Sequence, residues 1–404
     1  MTERLYYTNA YQTEFDATVL ALEQINGQPA VRLDHTYFYP TSGGQPFDTG
    51  LLGDRRVVDV VAADNGDVWH LLEAEFTHVV PGQPIHGVID WSRRYDHMQQ
   101  HSGQHLLSQI FYRHFGYETL SVHFGDVEST LDLEVAVLDP AQIDEAEQIA
   151  NRMVYTSLPI TAYFVADNEL ASITLRKAPK VKGEIRIIEI ADFDYSACGG
   201  THVRTTAEIG PIKLTRQERR RGQTRLTFLC GGRAYHDYVE KHRLLVEAAN
   251  LFSTDISTVP RLIERNLAQV KELQQSIKLL TEEQLAHEAN NLADGAQLIQ
   301  EMRIVAKLFH AKDVANLKTL AQQLQQYPGI TALLAGVWDE KLTLIFARAA
   351  DSPLHMGNLL RDTLRQFGGN GGGRPDFAQG GADPAVAQAV LDFAISQINK
   401  GSAQ

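Results

Sequence analysis

Two short stretches, HSGQH at residues 101–105 and CGGTH at residues 198–202, each place two metal-competent side chains at i and i+4. If both pairs hold one ion, the fold must bring segments far apart in the chain to a single point. That demand constrains the fold more than any local propensity. Residues four apart on a helix share a face, with Cβ atoms roughly 6 Å apart, so His101 and His105 can reach one ion from an undistorted helix. The pair alone carries little weight: with 15 His among 404 residues, chance placement yields about 0.6 such pairs. His97 adds an overlapping pair, since His97, His101 and His105 stand at i, i+4 and i+8. The run Gln104-His105-Leu106-Leu107 turns into an apolar face, whereas His97 neighbours Arg93, Arg94 and Asp96 and is expected at the surface or along a cleft.

CGGTH is more informative. The chain has 2 Cys, and a His at this spacing after one of them arises by chance roughly 7% of the time. Gly199 and Gly200 permit a tight turn that aims Cys198 and His202 at one point. His101, His105, Cys198 and His202 together suit one tetrahedral zinc ion. Four protein ligands ordinarily describe a closed structural site, while hydrolysis needs a position for water or substrate. One ligand is therefore expected to be weakly held, or the coordination to expand, when a substrate arrives.

The length predicts two to four domains. So few cysteines exclude a disulfide framework and fit a reducing compartment. The N-terminal sequence has no signal or transit pattern and no apolar run reaches membrane-spanning length, so a cytoplasmic protein is expected. A net charge of −13 excludes coating nucleic acid by bulk positive charge, although a local patch can still grip phosphates. RQERRRGQTR (216–225), with Arg216, Arg219, Arg220, Arg221 and Arg225, reads as such a patch or as a solvated charged hairpin.

Patterning along the chain predicts an α+β multidomain protein. Residues 1–90 alternate in short segments such as VVDVV and VWHLL, broken by turn residues, and read as a small β-barrel. Residues 91–232 mix a helix over 91–115, a second helix from Pro140 and strands such as IRIIEI, and carry both ligand pairs. Residues 233–295 read as a helical connector broken around Ser253 to Pro260, with Ile263, Asn266, Val270, Leu273, Ile277 and Leu280 forming the seam of a helical hairpin or short coiled coil. Residues 296–404 read as an α/β, glycine-rich domain. There GGNGGG (368–373) reads as a linker or, beside Arg374, as an anion-binding nest of backbone amides.

Four separated motifs then resemble the editing half of alanyl-tRNA synthetase and, more closely, the long free-standing alanyl-tRNA editing proteins of the AlaX type. They are YFYPTSGGQPFDTG (37–50), RRYDHMQQHSGQHLLS (93–108), SACGGTHV (196–203) with AEIGPIKL (207–214), and GGNGGGRPDFAQGG (368–381). The synthetase wording has Thr-Ala after the first metal His; Ser102-Gly103 stand here and keep the ligand spacing. His97 falls outside the shared pattern, which favours His101 and His105.

The resemblance implies a zinc editing domain at 91–232 and a tRNA-binding and dimerisation domain at 296–404, with a homodimer formed through that domain or the connector. It implies hydrolysis of the ester joining serine or glycine to tRNA(Ala). No aminoacylation half precedes the barrel, so editing in trans is expected. Zinc at such a site can polarise the carbonyl, orient the amino group or generate hydroxide. His101 and His105 would act through that zinc, and Gln45 of the SGGQ loop would position water or the aminoacyl group. Gly43 and Gly44 would let backbone approach the ligand. A purely apolar pocket discriminates poorly against an added hydroxyl, so a partner for it is needed; Thr41, Ser121 and His123 are the candidates. Contact with tRNA is expected at Arg93, Arg94, Arg219, Arg220, Arg221 and Arg374.

Three other readings stay open. Phosphoesterases share the C-terminal domain type but carry an Asp-His-His motif that this chain lacks. A Ser-tRNA(Thr) deacylase would share the paired-ligand logic. A non-catalytic RNA-binding module with structural zinc fits the ligands but not the acidic charge.

Overall fold

The computed structural model describes residues 1–178, 183–310 and 312–400. The alternating N-terminal segments form β1 (Glu3–Arg4), β2 (Glu14–Ile25), β3 (Gln28–Leu33), β4 (His35–Thr36), β5 (Gly50–Leu52), β6 (Arg55–Ala62), β7 (Val68–Leu72) and β8 (Pro84–Ile89). Six of them close into a barrel in the order β2-β3-β7-β6-β5-β8. Asn26 and Gly27 sit at φ 52° and 79°, the left-handed pair that a two-residue hairpin turn requires. The inward positions Phe15, Val19, Leu33, Phe38, Leu52, Val57 and Val60 fill the barrel.

A long helix, α1 (Trp91–Phe115), leaves the barrel. Asp90 caps it by accepting from the Arg93 amide, and Gly116 ends it at φ 72°. From Met98 to Phe111 every residue of α1 is buried. Most polar groups on a buried central helix find partners, the imidazole of His97 and Oε1 of Gln109 being exceptions here. Gln100 accordingly bonds both the N–H and C=O of Cys230, Gln99 donates to the Glu208 carbonyl, and Gln109 donates to the Phe193 carbonyl. Around α1 lie β9 (Thr119–Phe124), β10 (Ser129–Leu133), α2 (Pro140–Thr156), β11 (Ile160–Ala166), β12 (Glu184–Ile190), β13 (Asp194–Ala197), β14 (Ile212–Arg220) and β15 (Gln223–Cys230). They form an antiparallel sheet β14-β15-β10-β9 and a smaller sheet β11-β12-β13.

The barrel and these sheets belong to one compact unit, Met1–Leu251, which also takes in α3 (Gly232–Leu251); Phe252–Gln404 is a second unit. The division falls inside the expected connector, at the break before Pro260. Pro260 sits in the first turn of α4 (Val259–Asp294), where its missing N–H costs nothing. On α4, Ile263, Val270, Leu273, Ile277 and Leu280 are exposed, while Leu285, Ala289 and Ala293 enter a core.

The second unit adds β16 (Gln297–Ile299), β17 (Met302–Phe309), α5 (Val314–Leu324), β18 (Ile330–Trp338), β19 (Lys341–Arg348), α6 (Met356–Gln366), β20 (Asn370–Gly373), β21 (Phe377–Ala382) and α7 (Ala387–Asn399). Its six-stranded sheet has the order β16-β17-β18-β19-β21-β20. From Asn370 on, the glycine run is thus neither linker nor nest. Residues 370–373 pair with β21 in an antiparallel hairpin, and extended backbone sends successive amides to opposite edges. A Cβ on Gly371 or Gly380 would stand 2.7 or 2.5 Å from Leu364 of α6. Glycine there lets helix and hairpin lie in contact.

Candidate metal centre

The turn after β13 faces the middle of α1, and the ligand atoms of His101, His105, Cys198 and His202 all lie within 4.8 Å of one another. Cys198 Sγ is 3.4 Å from Nε2 of both His101 and His202. Each imidazole is held from behind through Nδ1: His101 by Gln45 Oε1 at 2.8 Å, His202 by Ser102 Oγ at 3.1 Å, and His105 by Asp194 Oδ2 at 3.2 Å. A proton fixed on Nδ1 leaves Nε2 as the lone-pair nitrogen, the arrangement typical of metal-ligating histidines. The holders are themselves held. Asp194 receives hydrogen bonds from Arg176 Nε and Ser196 Oγ, and Gln45 bonds Thr201 through both ends of its amide.

Two glycines make this approach possible. A Cβ on Gly200 would stand 2.2 Å from His101 Cε1, and a Cβ on Gly103 would stand 2.2 Å from Cys230 Sγ. Gly103 is thus the contact that seats α1 on β15, and Cys230 is a packing cysteine whose thiol burial pushes well above its ordinary range. Arg186 clamps the turn by donating to the carbonyls of Cys198 and Gly200.

The electrostatics suit metal binding. Burial opposes a thiolate at Cys198, but the neighbouring His101 charge and imidazole hydrogen bonds hold it well below the usual thiol range. Burial and the His101 charge push His202 down to about 3. Against burial, hydrogen bonds to Asp194 and Cys198 raise His105 to about 9, so metal binding there would release a proton. One thiolate and three oriented imidazoles are a donor set that fits a borderline ion such as zinc.

The other expected site residues land as follows. Gly43 and Gly44, at φ 57° and 88°, are the centre of a turn closed by Ser42 and Gln45, and a Cβ on Gly44 would stand 3.3 Å from the Val122 carbonyl on β9. Gln45 is fully buried with both amide ends occupied, so it lies behind His101. Thr41 is exposed, its hydroxyl accepting from the Phe47 amide. Ser121 and His123 require correction. Phe124 packs its ring 4.9 Å from His101, and strand alternation sends Ser121 and His123 to the opposite face, where Ser121 bonds Asp132.

Arg94 also requires correction. It is fully buried in an ion pair with Asp48 and donates to the Ala10 and Tyr37 carbonyls, fixing α1 to the barrel side, where no phosphate can reach it. Arg93 is partly exposed beside Asp126, Arg220 pairs with Glu218, Arg219 and Arg221 are exposed at the β14–β15 hairpin tip, and Arg374 is exposed near Asp376. His97 is 1% exposed instead of lying at the surface, and burial and Arg93 take it down to about 4. Sequence reasoning missed Ser102, Asp194, Thr201 and Arg186 as supports. A carboxylate four positions before Cys198 was the one available signal.

Residues 185–227 match the family described as the threonyl and alanyl tRNA synthetase second additional domain, and residues 301–400 match the DHHA1 domain. The chain is 32% identical over 415 residues to an alanine–tRNA ligase of Methanothrix thermoacetophila, covering 99% of this chain and 44% of the ligase. It thus spans less than half the length of that relative. It is 28% identical over 406 residues to the alanyl-tRNA editing protein AlaX-L of Pyrococcus horikoshii, covering 98% of each. Against the alanyl-tRNA editing protein AlaX-M of Methanosarcina barkeri, identity reaches 35% over 242 residues, 56% of this chain and 98% of that one. With 35% identity to AlaX-M over 98% of that protein's length, the chain belongs to the AlaX-type alanyl-tRNA editing family.

Proposed function

We propose that this protein is a trans-acting hydrolase that cleaves the ester between a wrong amino acid, serine foremost and glycine after it, and tRNA(Ala). The observation that carries the reading is the convergence of three imidazoles, each locked through Nδ1, with Cys198. One zinc ion on His101, His105, Cys198 and His202 would supply Lewis acidity at an already activated ester. Gln45, Ser102 and Asp194 act as positioning residues that keep the imidazoles aimed. Cys198 is the least buried of the four and Gly199 beside it is exposed. The ester would therefore approach from the Cys198 side, and Cys198 serves as a ligand in preference to a nucleophile. Of the three hydroxyl-reading candidates, Thr41 alone belongs to the SGGQ loop behind the cluster.

Phosphate contacts would come from the exposed Arg219 and Arg221, with the partly exposed Arg93 and the exposed Arg220 and Arg374 partly neutralised by Asp126, Glu218 and Asp376. The heptad spacing of the exposed α4 residues suits a second copy of this chain, a dimer that Leu273→Glu should dissociate in sedimentation runs. No described helix is long and apolar enough to cross a membrane, and a cytoplasmic location fits a substrate made there. The test is hydrolysis of Ser-, Gly- and Ala-tRNA(Ala), Ser-tRNA(Thr) and a nucleotide phosphodiester by one preparation. Preferential cleavage of Ser-tRNA(Ala) is expected; cleavage of the phosphodiester, of Ser-tRNA(Thr) in preference, or of nothing would overturn the reading in favour of the corresponding alternative.

A further inference from the structure

A polar cavity of about 150 Å³ borders the metal cluster at His202 and is walled by Tyr7, Tyr11, Thr161, Arg186 and Arg204. That is room for roughly ten water-sized spheres, enough for a base or a ribose but not a folded RNA element. Its charges set it apart from the arginine-rich hairpin. Along the outer face of β14 and β15, Arg216, Arg220 and Arg225 are answered by Glu128, Glu218 and Asp132. Among the described residues, no carboxylate lies in ion-pair contact with Arg186 or Arg204.

Arg186 is 8% exposed and donates only to the carbonyls of Tyr7, Cys198 and Gly200, with its guanidinium 5.3 Å from the Tyr7 ring centre. Arg204 is exposed and lies 3.9 Å from the Tyr11 ring centre, and Tyr11 is held in place by Glu208 and the Arg204 amide. Apart from the Cys198 thiolate, which the metal site claims, no carboxylate answers Arg186 among the described residues, and its Nη2 makes no described hydrogen bond, which leaves a charged donor for a phosphate or ribose. Guanidinium planes stacked on fixed aromatic rings are also the platforms on which unpaired bases stack.

We propose that this cavity receives the single-stranded 3′ end of the RNA, with the Arg204–Tyr11 stack carrying a base, Arg186 facing its phosphate or ribose, and the chain then turning along Arg186 to the Cys198 side of the cluster. The proposal rests on the tRNA reading above. It adds a route by which the ester reaches the site, separate from the contacts that hold the rest of the RNA.

The test compares binding of uncharged tRNA(Ala) with the same tRNA lacking its last three nucleotides, for the wild-type protein, Arg204→Glu and Thr161→Trp. Both positions are exposed, and zinc content and thermal midpoint serve as folding checks. Wild type is expected to prefer the complete RNA. Arg204→Glu should weaken complete RNA about tenfold and leave truncated RNA unchanged, the loss of one stacked base. Thr161→Trp, which fills the cavity, should also erase the preference. Equal weakening of both RNAs, or no weakening of either, would overturn the assignment. Because the RNA is uncharged, the result stands whether or not the protein proves to be a deacylase, and hydrolysis is scored separately.

Discussion

Replacing Gln45 by alanine would separate a residue that aims a ligand from one that touches substrate. The Gln45 carbonyl accepts from His101 Nδ1 at 2.8 Å and from the Thr201 amide at 3.1 Å, while its NH2 donates to Thr201 Oγ1 at 2.7 Å. Alanine leaves two buried donors without acceptors, each costing about 1–3 kcal/mol. Part of that loss falls on the folded state and part on His101, which becomes free to rotate. Losing the partner behind a ligating histidine typically weakens metal binding 10–100-fold, or about 1.4–2.7 kcal/mol. Competition against a chromogenic chelator measures this directly, and hydrolysis at saturating zinc shows how much function returns when the site is refilled. Gln45→Glu keeps both acceptor contacts and should bind zinc nearly as wild type does. Unchanged zinc affinity in Gln45→Ala, together with lost turnover at saturating zinc, would refute the positioning role and put Gln45 against the substrate.

Two further predictions concern packing and pH. Gly103→Ala should destabilise the protein by about 1–3 kcal/mol through overpacking against Cys230, and Cys230→Ala in the same chain should recover most of it. A denaturation double-mutant cycle reads the coupling, and additive losses would remove the contact from the explanation. His70 is wholly buried, with Nδ1 facing the Val31 carbonyl and Nε2 facing Thr36 Oγ1, and burial pushes it down to about 4. The unfolded chain gains this proton near pH 6.5, the folded one only near pH 4, so His70 stability is complete above pH 6.5 and drains as pH falls toward 4. The loss reaches about 3 kcal/mol. His70→Gln should flatten the wild-type decline in thermal midpoint over that range; parallel curves would contradict it.

The four side chains that cluster, His101, His105, Cys198 and His202, were legible as a group because their spacing is local on each side and their chemistry rare. What sequence could not supply were the groups behind them, which lie 56, 89 and 100 residues away from the histidines they hold. Contacts at that separation follow from the fold and leave no local period. Arg94 shows a related limit: a charged side chain at the start of a helix reads as solvated, and only Asp48, brought over by the barrel loop, makes its burial tolerable. Ser121 and His123 were a different failure. The segment TLSVHF alternates, so once Phe124 is assigned to the cluster side its parity sends both polar residues away. In the glycine run, the requirement came from Leu364 on a neighbouring helix, which composition alone cannot reveal.

We propose that His101, His105, Cys198 and His202 form one metal site on which ester hydrolysis depends. It is tested most directly by stripping the protein with a chelator and returning zinc in steps, with bound metal and Ser-tRNA(Ala) hydrolysis measured on each sample. Activity should rise in proportion to bound zinc and stop rising at one ion per chain, with no activity in the stripped, still folded protein. Full hydrolysis by folded protein without metal, or zinc bound one per chain with no hydrolysis at all, would contradict the claim.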